Sequence, residues 1–196
     1  MMTIVRKRWT WLGVMCALAG AGAAVLPSVS QGATTASVTL SAGSLAFINS
    51  TPAGTITFPT TTLNGTNQNV TSTLLFDIGD ATGSGSGWNV TATSTTFTSG
   101  GHTLPTTSTT VGTAPTTSCD TGASGCTLAT DSVSFPYTLP AGTTAPTATK
   151  LFSAAANTGM GDQSFTPTWT LAIPANAVAS GTAYTSTWTF SLVSGP

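Results

Sequence analysis

The chain has 196 residues, enough for one ordinary domain. Only 5% of them are charged, no Glu occurs, and Ser with Thr make up about a third, so solubility rests on hydroxyls and amides rather than on charge. Three of the four bases are Arg6, Lys7 and Arg8. Without them one base faces five acids, a balance of 1 − 5 = −4, which excludes nucleic-acid binding through phosphate contacts.

Residues 1–33 read as a secretory signal that is cleaved near Gly32 or Ala33. Arg6-Lys7-Arg8 is its basic region, Trp9 to Leu26 its apolar region, and Pro27 ends it. The apolar run is short for a membrane span. Residues 34–196 then read as a single domain.

That domain begins with short alternating pairs: Val38 and Leu40, Leu45 and Phe47, Ile56 and Phe58, punctuated by Pro52, Gly54 and Pro59. A polar turn, Leu63 to Asn69, leads to one stronger strand with Val70, Ser72, Leu74, Phe76 and Ile78 on one face. A Gly/Ser loop from Gly79 to Gly87 follows, and Trp88, Val90 and Ala92 make the next strand. From 98 to 131 the chain is Thr, Ser, Gly and Pro with few apolar anchors, and reads as a surface insertion. Val133, Phe135 and Tyr137 alternate beside Pro136, an edge-strand signature, and Leu151-Phe152 marks another strand.

The last thirty-odd residues carry the clearest pattern. Phe165, Pro167, Trp169, Leu171 and Ile173 alternate with small polar residues. Tyr184, Trp188, Phe190 and Leu192 do so again, with Thr185, Thr187, Thr189 and Ser191 between. Period-two patterning puts apolar groups on one face and β-branched threonines on the solvated one. These two runs read as a hairpin that closes the fold. The sum is an all-β, single-domain β-sandwich of about nine short antiparallel strands.

Chemistry-bearing residues are few. His102 is the only histidine, so a Ser-His or Cys-His arrangement would have to use it; its Gly100-Gly101 context reads as an exposed loop. Asp77 and Asp80 are the nearest thing to paired carboxylates, but read as a solvated strand position and a turn residue. The Asp80 loop and Asp120 to Ser124 offer oxygen ligands without calcium-loop spacing and also read as turns. No metal or cofactor is expected, nor an enzyme. Cys119 and Cys126, an even pair in an exported chain, predict a disulfide that pins a local loop. Trp88, Trp169 and Trp188 are the candidate binding residues, because indole rings stack on sugars, although each lies on or beside the apolar phase of its strand. Leu104-Pro105-Thr106-Thr107-Ser108 and Leu139-Pro140-Ala141-Gly142-Thr143 each match only part of a sortase signal, and the four Asn-x-Ser/Thr sequons at Asn49, Asn64, Asn69 and Asn89 are within chance for so Thr-rich a chain.

The order of these pieces resembles the WxL domain of Gram-positive cell-surface proteins. Asp77-Ile78-Gly79-Asp80 and the Gly/Ser loop run into Gly87-Trp88-Asn89-Val90. Ile173-Pro174-Ala175-Asn176-Ala177 precedes a final strand that contains Trp188-Thr189-Phe190. Val90 and Phe190 stand where the family has Leu, and the one true Trp-x-Leu, Trp169-Thr170-Leu171, comes one strand earlier. The resemblance covers roughly residues 36–196 and implies surface display and non-covalent attachment to peptidoglycan or another cell-wall glycan, with other surface proteins as further partners. Two alternative readings stay open at this point: a structural subunit of a surface fibre or biofilm matrix, and a secreted carbohydrate-binding module.

Overall fold

The computed structural model describes residues 32–196 apart from 121, 123 and 124. The basic and apolar regions of the expected signal, residues 1–31, lie outside the described residues. The backbone divides at Thr39, and Leu40–Pro196 forms one compact unit. Residues 32–39 contain no strand, so the alternation of Val38 and Leu40 does not become one; both side chains are exposed.

Among the described residues there is no helix. The strands are β1 (Leu45–Phe47), β2 (Gln68–Thr73), β3 (Phe76–Asp80), β4 (Trp88–Thr95), β5 (Thr98–Ser99), β6 (His102–Thr103), β7 (Thr109–Val111), β8 (Thr117–Cys119), β9 (Tyr137–Thr138), β10 (Ala141–Gly142), β11 (Thr149–Ala154), β12 (Gly161–Phe165), β13 (Thr168–Ile173) and β14 (Trp188–Ser194). One layer is a long antiparallel ribbon. β12 lies between β3 and β8, and β13 between β2 and β7. β1 borders β3, and β9 borders β7. The ribbon breaks once in each central strand. Pro167 has no N–H, so the ladder cannot continue through it; Leu74 N–H reaches across to the Pro167 carbonyl at 3.4 Å. This is why the single strand expected over 70–78 is two, β2 and β3, while its core face keeps one phase through the break.

The second layer is built on β4. β14 pairs along one edge, and β11 and β10 share the other, β10 through a two-residue parallel contact. A bulge at Lys150/Phe152 turns two successive residues inward, so Leu151 and Phe152 are both buried.

The layers meet through aromatic rings. Phe76 and Phe165 are cross-strand partners whose rings stack at 4.9 Å. Phe152 stacks on Phe165 from the facing layer at 4.3 Å, and Phe190 meets Phe76 edge-on at 4.9 Å. Burying a large aromatic side chain is worth about 3–5 kcal/mol by truncation to Ala, so this cluster is a principal part of what fixes the two sheets face to face.

Two expectations are corrected. β13 and β14 are not a hairpin: β13 pairs with β2 and β7, whereas β14 pairs with β4 in the opposite layer. Residues 174–187 cross between layers, so the two apolar faces pack against one another instead of lying side by side. The 98–131 stretch is not only surface loop either. It supplies β7 and β8 to the ribbon and places Val111 and Leu104 in the core. Single apolar residues among hydroxyls suffice there, because the ladder partners come from β12 and β13.

Candidate functional site

The three candidate tryptophans have different surroundings. Trp88 opens β4 and is fully enclosed; its Nε1–H donates to the Gly159 carbonyl at 2.8 Å. Gly159 makes room for the ring, and Gly87 lets the chain before it pass close to Ala154. At Gly159, φ is +75° and a Cβ would lie 2.6 Å from Trp88 Nε1; at Gly87, φ is +72° and a Cβ would lie 2.2 Å from the Ala154 carbonyl oxygen. Neither position tolerates a side chain. Trp169, on β13, is also fully enclosed, and its Nε1–H has no partner among the described residues. Enclosed rings cannot stack on a ligand, so Trp88 and Trp169 stand in the core, holding the strands.

Trp188 is different. It is half-buried at the start of β14, with its ring 4.8 Å from that of Trp169. Phe58 and Phe97 lie 6.3 Å from it on other sides. Trp188 forms one wall of a cavity of about 610 Å³ between residues 52–56 and 184–190, whose lining includes Thr55, Tyr184, Thr185 and Thr187. A neighbouring cavity of about 650 Å³ shares Ile56, Phe97, Tyr184 and Thr185 with it and is otherwise lined largely by aliphatic groups, among them Leu63, Val70, Leu171 and Val178. No charged residue lines either one. Tyr184 is held by its hydroxyl, which donates to the Val178 carbonyl at 2.8 Å.

The polar candidates lie elsewhere. Asp77 is buried on the outer face of the ribbon, not solvated as expected. Its carboxylate accepts from Asn49 Nδ2 at 3.2 Å; burial, partly offset by that bond and reinforced by the charge of Asp120, raises its pKa above the ordinary carboxylate value. Asp80 Oδ1 accepts from Thr82 N–H and Oγ1–H at 3.0 and 2.7 Å, a turn of the kind Asp favours. Among the described residues no group of three or more His, Cys, Asp or Glu side chains is placed to hold a metal ion. Residues 121, 123 and 124 of the second candidate loop lie outside the described residues. His102 is exposed opposite Ser99 in the β5–β6 hairpin, but the Ser99 hydroxyl turns away to the Thr182 carbonyl at 3.0 Å. Cys119 and Cys126 form a disulfide with Cα atoms 5.9 Å apart.

The model of one protein family, described as a WxL domain for surface cell-wall binding, matches residues 28–196, nearly the whole chain. The chain belongs to the WxL family. No curated protein and no solved structure matches it. As a WxL domain the protein is a wall-associating protein of the cell surface. Among its described residues no helix is long and apolar enough to cross a membrane.

The two motif segments of this WxL domain are neighbours. β4 and β14 are antiparallel partners, with Trp88 opposite Ser194 and Trp188 opposite Ser94, so each tryptophan marks one end of the same strand pair. Trp169-Thr170-Leu171 faces that pair from the other layer. Sequence reasoning missed Gly159, Phe58 and Phe97. Nothing local to Gly159 shows that it is the acceptor for the Trp88 indole, 71 positions away. Phe58 lies in an extended segment without ladder pairing, so only its alternation with Ile56 was visible.

Proposed function

We propose that this WxL domain is a non-enzymatic module that attaches non-covalently to the wall glycan, peptidoglycan or a related polymer, through the cavity bordered by Trp188. The observation that carries the reading is the half-buried indole beside hydroxyls on an uncharged wall. A pyranose ring has apolar C–H faces and hydroxyl edges. An indole face receives the former, and threonine hydroxyls such as those of Thr55, Thr185 and Thr187 the latter. Trp88 and Trp169 contribute from the core, by fixing the two strands that carry Trp188 and its neighbours.

The test is co-sedimentation with purified sacculi. Trp188→Ala removes a large aromatic contact and is expected to weaken retention by about 2 kcal/mol, roughly thirtyfold. Because Trp188 also packs on Trp169, a second variant keeps the core whole: Thr55→Trp fills the cavity mouth from an exposed position and is expected to abolish retention. Normal retention of a folded Thr55→Trp chain would show that the glycan binds elsewhere.

A further inference from the structure

The second, aliphatic cavity has no role in that reading, and the chain carries a segment that matches it. We propose that this cavity receives the N-terminal arm, residues 34–42, of a second copy of the chain, so that copies join head to tail. Both of its flanks are extended or irregular chain, residues 56–63 and 178–183. Among the described residues none of their main-chain N–H groups has a hydrogen-bond partner. The carbonyls of Thr57, Thr62, Val178 and Thr182 accept side-chain bonds, but main chain with free N–H groups beside an apolar trough can accept an added strand, with main-chain bonds for affinity and alternate side chains for fit. The arm has the complementary form. Ser37-Val38-Thr39-Leu40-Ser41 alternates in strand fashion but pairs with nothing, and Val38 and Leu40 are 82% and 87% exposed, more than any other large apolar side chain of the described residues. Neither side carries charge: no Asp, Glu, Lys or Arg occurs from Ala33 to Phe76 or from Phe165 to Pro196. Bringing them together therefore has no like-charge cost, and the Lys that guards many strand edges is missing.

Chain length selects a second copy over the same chain. The arm is fixed at Gly43, whose N–H donates to the Ala81 carbonyl at 2.9 Å, beyond the end of β3. The cavity is lined by Val70 and Ile173, at the opposite end of the ribbon. From Val70 to Asp80 the ribbon runs about 33 Å at ~3.3 Å per residue. Val38 lies five residues from Gly43 and reaches about 17 Å, Leu40 about 10 Å, when fully extended. Neither can enter its own cavity. Donor and acceptor are different surfaces, so the contact is heterologous and propagates as a filament or closes as a ring.

The experiment is analytical ultracentrifugation of the processed chain, recovered from the surface of an expressing bacterium, over a wide concentration range. The native chain is expected to form a concentration-dependent ladder of oligomers. Val38→Lys/Leu40→Lys removes the donor, and Val178→Lys, at a 43% exposed position of the cavity wall, blocks the acceptor. Each variant alone should stay monomeric. Mixed, the two should give dimers and nothing larger, since one intact donor meets one intact acceptor. A native chain that remains monomeric throughout, variants that still polymerise, or a mixture that yields no dimer would overturn the proposal. Both variants should still sediment with sacculi, because the Trp188 cavity is untouched, so loss of assembly and loss of wall binding are separate results.

Discussion

Trp88 and Trp169 make the same residue do two different jobs. Both are fully enclosed, but the Trp88 indole donates to Gly159 and the Trp169 indole has no acceptor among the described residues. Replacing either by Phe removes similar ring area and leaves a similar void. In Trp88→Phe the buried Gly159 carbonyl also loses its partner, a loss of about 1–3 kcal/mol. In Trp169→Phe an unpaired buried donor disappears, which offsets part of the packing loss. Chemical denaturation should therefore find Trp88→Phe the less stable of the two by about that margin, with unchanged m-values. Equal stabilities would mean that Trp169 Nε1–H is bonded in solution. The alternation of Trp88-Asn89-Val90 and Trp169-Thr170-Leu171 was enough to put both rings on a core face. It could not say which indole would find an acceptor, because Gly159 reaches Trp88 only through pairing of distant strands. Nor could it separate Trp188, on the same phase, from the other two. The opening beside Trp188 is made by Phe97 and the 52–56 segment, neither adjacent to it in sequence.

At the scale of elements, period two was readable where a strand is buried on one face, as in β2, β13 and β14. Pairing was not. Two consecutive alternating runs suggest a hairpin, but the 14 residues between Ile173 and Trp188 are long enough to change layers, and the aromatic faces gain more by meeting than by lying in one sheet. The weakly patterned region around the cysteines hid β8 for a related reason: Thr117, Ser118 and Cys119 become a strand because β12 offers a ladder. The disulfide closes its ring at that edge. A loop of this size gives about 2.5 kcal/mol in the chain-entropy estimate, and this bounds the effect. Cys119→Ser/Cys126→Ser is expected to lose no more than that. Amide exchange should quicken in β8 and at Thr127, whose N–H donates to the Met160 carbonyl at 2.9 Å, and stay unchanged in β4. Faster exchange through β4 would show that the bond supports the whole sandwich and not its edge.

For the whole molecule the decisive quantity is charge. Without Arg6, Lys7 and Arg8 the chain carries −4, and its one remaining base, Lys150, donates to the Pro196 carbonyl oxygen at 2.8 Å. A chain from which the expected signal is removed has too few cations to hold an anionic wall through ion pairs. Long-range repulsion opposes its approach, and salt screens that repulsion over about 10 Å at 0.1 M. The short-range contacts at the Trp188 cavity are stacking and neutral hydrogen bonds, which salt leaves nearly untouched. Retention on sacculi is therefore expected to hold steady or to rise between low and high ionic strength, and to fall when soluble wall glycan is added as competitor. Co-sedimentation across a salt series checks this. A steep decline with salt would mean that the wall is held by charge, and with a single lysine available that contact would have to come from a bridging cation or another surface protein rather than from the groove.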